Sequence, residues 1–397
     1  MQPLVLSHMS IVNSLGAGLE KTLEALRERS TGLAPCRFES VDLDIHVGEV
    51  SGLDNVTLRR DLSEFDCRNN RLAQMALEQD GFEKAVGSAR QLYGADRIGL
   101  FLGTSTSGIL QSELAYRRRD PDTGALPEDF LYSGTQNIFS LAAFVRRYLY
   151  LEGPAMVISS ACSTTSKVFG NAARMIAAGL CDAAVVGGAD SFCLTTLYGF
   201  HSLNLLSREP CRPFDPDRDG ISIGEGAGFA MLEKSRDPDD TDSVMLLGVG
   251  ESCDAYHLST PHPEGLGARL SMERALSSAG LGPEAIDYIN LHGTATRTND
   301  AAEDRAIVGL FGDATPCSST KGWTGHTLGA SGITEAIIST LCIRHGLVPG
   351  SLHTRRVDPA LRSRYMLDNQ SAVINRVMSN SFGFGGNNCS IVLGRLR

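Results

Sequence analysis

Apolar residues recur along this chain with two different periods. Unbroken apolar runs at 97–103 (RIGLFLG), 155–160 (AMVISS), 182–190 (DAAVVGGAD), 243–250 (SVMLLGVG) and 285–293 (AIDYINLHG) predict buried strands. Between them, apolar positions three and four apart predict helices over 18–29, 163–179, 267–280 and 332–346, with Gly or Asn often at the stop. Strands and helices in alternation imply an α/β fold with largely buried sheets.

One pattern occurs twice. A Gly-rich turn followed by a strand appears at 220–235 (GISIGEGAGFAMLEKS) and again at 383–395 (GFGGNNCSIVLGR). Each copy would close one half of a duplicated unit. The polar, Pro-containing stretch 234–243 predicts the boundary, giving halves 1–242 and 243–397. The Gly-rich stretches match neither a phosphate-binding P-loop nor a dinucleotide fingerprint after a strand, so no nucleotide site is expected.

The length of 397 residues fits about two domains, and 42% hydrophobic with 21% charged residues is an ordinary soluble composition. A net charge of −10 argues against a general nucleic-acid binder while leaving room for a local basic patch. None of the ten cysteines falls in a C-x-x-C spacing, so neither a zinc site nor a compact disulfide framework is expected, and no metal is assigned. The N-terminus lacks the basic flank and long apolar core of a signal peptide, and no apolar run reaches the ~18 residues of a membrane span. A cytoplasmic protein with reduced thiols is the expectation.

Cys162 changes the picture. It follows the strand-like run 155–160 and stands at the start of helix 163–179. Unpaired N–H groups and the helix dipole favour a thiolate there, by roughly one pKa unit at most. From a free value near ~8.5 this predicts a mixed thiol and thiolate population at neutral pH, with a nearby base finishing the activation. Candidate bases are His292, at the end of a strand in NLHGTAT, and His326, in the Gly-rich loop STKGWTGHTLGASG. Either histidine alone is more often structural than catalytic, but strand ends and Gly-rich loops are where catalytic groups concentrate. Lys321 precedes His326 and Glu335 follows it, as an ordinary ion pair or as a support that orients His326.

The motifs SSACSTTSK, RPFDPDRDGISIGEGAG, HGTATRTND, KGWTGHTLGASGITE and NSFGFGGNN, in this order over nearly the whole chain, resemble the elongating β-ketoacyl-acyl carrier protein synthases. The resemblance implies a thiolase fold, two similar α/β halves in five layers (αβαβα), usually dimeric. It implies Cys162 as nucleophile, His292 and His326 as catalytic histidines, and Lys321 and Glu335 as their support. Phe384 would supply a backbone N–H that joins that of Cys162 in an oxyanion hole, and Phe382 a gating aromatic. Thr294 and Thr296 would hold the pantetheine arm, with Asp300 and Glu303 an acidic pair behind the His292 loop. No cofactor is implied beyond the phosphopantetheine of acyl carrier protein, and the partners are acyl carrier protein and malonyl-acyl carrier protein. The reaction implied is decarboxylative Claisen condensation to a β-ketoacyl-carrier protein.

Three departures bear on substrate and partner. The segment between LLSREP and CRPFD is short, GGNN stands where the family has Gly-Gly-Thr-Asn, and GTSTSG (103–108) puts Thr104, Ser105, Thr106 and Ser107 near the expected acyl pocket, as spacers or as a tight turn. Stretches 66–82, 103–121 and 194–215 are similar to the condensing subunits of aryl polyene clusters, akin to type II polyketide ketosynthases. That branch implies a heterodimer with a chain-length-factor-like paralogue; a housekeeping fatty-acid synthase implies a homodimer. Arg68, Arg71, Arg117, Arg118, Arg119 and Arg208 are candidates for docking the acidic carrier protein. A thiolase, an initiating-type synthase, a cysteine protease and a non-catalytic chain-length factor are the rival readings; Cys162, His292 and His326 together argue against each.

Overall fold

In the computed structural model, which describes residues 1–237 and 240–396, the two periodicities resolve into one strand order used twice. In the first half the strands run Leu4–Asn13, Gly226–Glu233, Ala183–Asp190, Ile98–Gly103 and Ala155–Ile158. In the second they run Met245–Cys253, Asn387–Gly394, Arg376–Gly383, Tyr288–Asn290 and Pro316–Ser318, with Arg364–Tyr365 added at the edge. In both halves the first two pairings are antiparallel and the next two parallel. A short antiparallel bridge, Leu4 to Leu246 and Val5 to Met245, joins the halves edge to edge.

Helices Thr164–Ala177 and Ser331–His345 fill the middle layer. The second is buried from Ser331 through Ile343, as its unbroken apolar character demands. Val168, Phe169, Ile333, Ile337 and Leu341 pack there against Leu6 and Val377. Helices Arg68–Leu77 and Ser140–Tyr148 cover one outer face, and Leu266–Ala279 and Arg297–Phe311 the other. The result is five layers, helix, sheet, helix, sheet, helix.

The predicted helices lie within about two residues of their expected ends, the usual uncertainty of a helix terminus. The strand expected at 285–293 is shorter, because a 3-10 turn at Pro283–Ala285 precedes it and the chain leaves the sheet after Asn290. The connection at 234–243 joins the last strand of one half to the first of the next; residues 238 and 239 lie outside the described residues. Unforeseen was Leu4–Asn13, the strand at the centre of the whole sheet. His8 and the buried Ser10 and Asn13 break its apolar pattern.

The middle layer is seated by missing side chains. Gly103 and Gly188 face each other on adjacent parallel strands. A Cβ on Gly103 would lie 2.3 Å from Thr164 Cγ2, and one on Gly188 would lie 1.9 Å from Gly103 O. The N-terminus of helix Thr164–Ala177 therefore rests on bare backbone. Gly103→Ala should destabilise the fold by about 1–3 kcal/mol through this overpacking. Equilibrium denaturation measures it, and an unchanged midpoint would contradict this seating of the helix.

Candidate active site

The strand Ala155–Ile158 leads through a tight turn into the helix Thr164–Ala177, and Cys162 sits in that turn. Ala161 has φ 51°, a left-handed conformation that a residue with a Cβ adopts only when its surroundings force it. The side chain of Thr164 does the forcing: its Oγ1 accepts from Ser160 N–H at 2.8 Å and donates to Ala161 O at 2.6 Å. Two further strained residues lie in this site, Ala295 at φ 66° and Leu328 at φ 53°.

The sulfur of Cys162 lies 3.1 Å from His326 Nε2. On the other side of that ring, Nδ1 accepts from Leu328 N–H at 3.2 Å and lies 2.9 Å from Ser331 Oγ. A neutral imidazole that accepts at Nδ1 carries its proton on Nε2. His326 therefore presents a donor to the sulfur and is not placed to take its proton. His292 stands edge-on to His326, ring centroids 5.3 Å apart, and packs on Phe382. One nitrogen from each histidine and the sulfur all lie within 4.8 Å of one another. Burial holds both histidines well below the ordinary imidazole pKa, and the charge of Lys321 pushes the same way, so both rings are neutral at pH 7.

The backbone that carries the His292 ring is anchored by buried carboxylates, while the ring's own Nδ1 has no hydrogen-bond partner among the described residues. Glu303 accepts from His292 N–H at 2.8 Å and Gly293 N–H at 2.7 Å, and burial raises its carboxyl to about 7. Asp300 accepts from Ala295 and Phe214 N–H and meets Arg218 at 3.3 Å. Lys321 Nζ bonds Glu335 Oε1, both groups being buried. Burial raises Glu335 to about 7 against the pull of that ammonium. Cys162, His292 and His326 are also a donor set that a soft divalent cation would accept, but the buried Lys321 charge opposes a cation there.

Two backbone N–H groups, those of Phe384 and of Cys162 itself, act on the sulfur. Gly383 makes their approach possible, since a Cβ there would lie 2.9 Å from Ser160 O and 3.1 Å from Cys162 N. Two N–H donors converging on a nucleophile form a site for the oxyanion of an acyl transfer. The site opens into a cleft whose wall includes Thr294, Thr296, Phe200, Phe384 and Leu258. Thr294 and Thr296 hydroxyls lie 2.9 Å apart on that wall.

Comparison with known proteins places two family models along the chain. Residues 9–237 match the model of the β-ketoacyl synthase N-terminal domain, and residues 244–355 that of the C-terminal domain. The chain belongs to the β-ketoacyl synthase family.

Among its relatives, 3-oxoacyl-[acyl-carrier-protein] synthase 2 of Coxiella burnetii is 33% identical, over 99% of this chain and 98% of the relative. The ketosynthase ApeO of Xenorhabdus doucetiae, solved in complex with its chain length factor ApeC, is 38% identical with a TM-score of 0.89, covering 99% of this chain and 98% of that chain. The ishigamide ketosynthase/chain length factor superposes with a TM-score of 0.89 at 28% identity, with full coverage of both chains. The five-layered architecture is the thiolase fold, and the protein is an acyltransferase of the 3-oxoacyl-[acyl-carrier-protein] synthase type. No helix among its described residues is long and apolar enough to cross a membrane.

Several expectations for this β-ketoacyl synthase need correction. Burial pushes the Cys162 thiol up to about 11, against Lys321 and the N–H of Phe384, so the resting group is a thiol and not the mixed population expected from a helix N-terminus. Arg68 is buried and committed to Glu225, Glu49 and Asp54, which leaves it nothing to offer a carrier protein. Arg71 is bound to Asp66 and Arg118 to Asp129; Arg117, Arg119 and Arg208 are exposed. Thr104, Thr106 and Ser107 are buried, and none of residues 104–107 lines the cleft. They form the tight turn, with Ser107 at φ 44°.

That turn exposes a residue the sequence did not single out. Asp190, fully buried, accepts from the N–H groups of Ser105 and Thr106 and from the hydroxyls of Thr104 and Thr106 at 2.7–2.9 Å. It also accepts from Gly329 N–H at 2.6 Å, three residues after His326. A GGAD strand end is the only signal, and it carries no spacing that points to the histidine loop. Alkylation of Cys162 by iodoacetamide, followed by peptide mass, tests the electrostatics. The rate should climb about tenfold per unit across about pH 7–10 without a plateau, because only the thiolate reacts. Lys321→Met removes the largest influence lowering that pKa and should slow alkylation at every pH in the range. A plateau by pH 8, or no effect of Lys321→Met, would contradict the assignment.

Proposed function

We propose that Cys162, His292 and His326 carry out the decarboxylative condensation of an acyl-carrier-protein thioester with malonyl-carrier protein. The observation that carries this reading is the convergence of three reactive atoms within 4.8 Å, with His326 Nε2 3.1 Å from the sulfur. Cys162 attacks the acyl thioester, the oxyanion rests on the N–H groups of Cys162 and Phe384, and the thiol proton leaves with the pantetheine thiolate. Malonyl-carrier protein then loses CO2, and its C–C bonding pair becomes an enolate whose oxygen takes hydrogen bonds from the two neutral imidazoles. The enolate carbon attacks the acyl-cysteine, and the expelled Cys162 thiolate regains a proton from solvent. Lys321 and Glu335 position the histidines.

The phosphopantetheine arm lies along Thr294 and Thr296. Gating falls to Phe384 rather than Phe382: Phe384 is half-buried and stacks on Phe200 at 5.6 Å, whereas Phe382 is sealed against His292. Residues 1–242 and 243–397 act as the two halves, the first supplying the nucleophile and the second both histidines. Carrier-protein docking draws on the exposed Arg117, Arg119 and Arg208.

The acyl substrate is the conjugated chain of aryl polyene or polyketide-like synthesis, in the cytoplasm, with a chain-length-factor-like paralogue as partner. ApeO, itself in complex with a chain length factor, supports this reading, as do exposed apolar side chains in the first half. Strand Ala155–Ile158 ends the sheet with Met156 exposed, and Tyr116, Leu131, Tyr132, Ile138 and Phe139 are exposed as well.

Cys162→Ala should abolish acyl transfer, and His292→Ala or His326→Ala should slow CO2 release from malonyl-carrier protein by roughly 10²–10³-fold at unchanged Tm. Wild-type CO2 release from either histidine variant would remove its role. The chain is tested by competition between saturated and aryl-polyenoyl carrier-protein thioesters, with and without the neighbouring paralogue. Efficient extension of saturated chains by the enzyme alone, with no preference for conjugated ones, would replace the polyene reading with fatty-acid elongation.

A further inference from the structure

The oxyanion site is assembled from two separate pieces of chain. One N–H belongs to Cys162, just ahead of helix Thr164–Ala177; the other belongs to Phe384, in the turn between strands Arg376–Gly383 and Asn387–Gly394. The turn contains two glycines at positive φ, Gly385 at 76° and Gly386 at 72°, and its outer side is bonded to the segment over the cleft. Gly385 N–H donates to Leu258 O at 2.6 Å and Asp254 N–H to Gly386 O at 2.9 Å. Those bonds tie the turn to the cleft rim; toward the nucleophile's helix the strand entering the turn is tied by Ser381 Oγ, 2.8 Å from Ser166 Oγ, and the strand leaving it by Asn387.

We infer that Lys167 and Asn387 form a latch that fixes the Phe384 turn to the nucleophile's own helix, making both positioning residues for acyl transfer. Lys167 lies in the first turn of that helix, and its Nζ donates to Asn387 Oδ1 at 3.3 Å. Its side chain is 15% exposed and its ammonium lies 3.8 Å from Glu251 Oε2, so the charge has two acceptors in fixed places. Asn387 is the residue that closes the turn, paired in register with Gly383. Its Nδ2 would lie 3.3 Å from a Cβ on Gly385, so the amide spans the turn from its closing end. Asn387 is also the position where the family resemblance implies Thr, in the departure GGNN. A threonine hydroxyl stands one bond shorter than the amide oxygen, so this contact belongs to the Lys and Asn combination of this chain.

The inference rests on the condensation reading for its kinetic consequence and on geometry alone for its structural one, and both are measured on the full-length protein. Lys167→Met and Asn387→Thr should each speed hydrogen exchange in the 383–388 peptide while leaving exchange elsewhere and Tm unchanged. Each should slow acylation of Cys162 by acyl-carrier protein roughly tenfold, the scale of one hydrogen bond to a charged group. CO2 release from malonyl-carrier protein, which relies on the histidines, should change less than twofold. The double variant should be no slower than either single one, because the two residues act through one contact. Lys167→Arg should restore most of the rate. Unchanged exchange in 383–388 would overturn the latch, as would additive losses in the double variant, or equal losses in acylation and CO2 release. Failure of the wild-type protein to acylate or to release CO2 would overturn the condensation reading instead, and the exchange data would still decide the latch.

Discussion

The site depends on how closely two buried helices approach. Helices Thr164–Ala177 and Ser331–His345 meet at their N-terminal ends, where a Cβ on Gly332 would lie 2.3 Å from both N and Oγ of Ser166. Thr165 Oγ1 donates to Gly329 O at 2.6 Å and accepts from Ile333 N–H at 2.9 Å, and Ser166 Oγ meets Ser381 Oγ at 2.8 Å. Cys162 precedes one helix and His326 the other. The contact between the two helix starts is therefore what places the sulfur 3.1 Å from His326 Nε2. A duplicated fold brings equivalent helix ends together at its centre, and chemistry that needs a nucleophile and two donors takes its parts from both halves.

Burial does two things here. It makes every buried hydrogen bond electrostatically stronger, which the two N–H donors and two neutral imidazoles exploit. It also raises the thiol, Glu303 and Glu335 and lowers the histidines, so the resting site holds few net charges apart from Lys321 and its partner. A neutral thiol among neutral donors is poised for a reaction in which negative charge appears only on substrate oxygen and sulfur. The strained backbone of Ala161, Ala295 and Leu328 lies in the segments that present these groups. Strain of that kind persists only where the surroundings over-determine it.

Much of this was legible in the sequence, for identifiable reasons. The long apolar runs carried the sheet and the buried helix Ser331–His345, and the strand-to-helix position of Cys162 singled out the residue that the structure places beside both histidines. Both histidines stood in loops that motif order tied to one family. Other features were not legible because they depend on contacts between distant segments. Arg68 reads as a surface cation until Glu225, 157 positions away, is seen beside it. Asp190 reads as a strand end until it is found holding the 104–106 turn and Gly329. The thiol pKa could not come from a helix-terminus argument, because burial of the whole junction exceeds what one dipole supplies. The strand Leu4–Asn13 hid behind the buried polar residues Ser10 and Asn13, of which Asn13 Nδ2 reaches Thr22 Oγ1 at 3.4 Å.

The central claim is that the N–H groups of Cys162 and Phe384 serve the acyl oxygen while the two histidines serve the enolate. A crystal structure of the protein with an acyl chain on Cys162 decides it. The thioester oxygen should accept from the N–H groups of both Cys162 and Phe384, with the imidazole Nε2 atoms left facing the cleft for the incoming malonyl group. An acyl oxygen turned instead toward His292 and His326, with the two N–H groups unoccupied, would contradict the division of labour on which this account of the site rests.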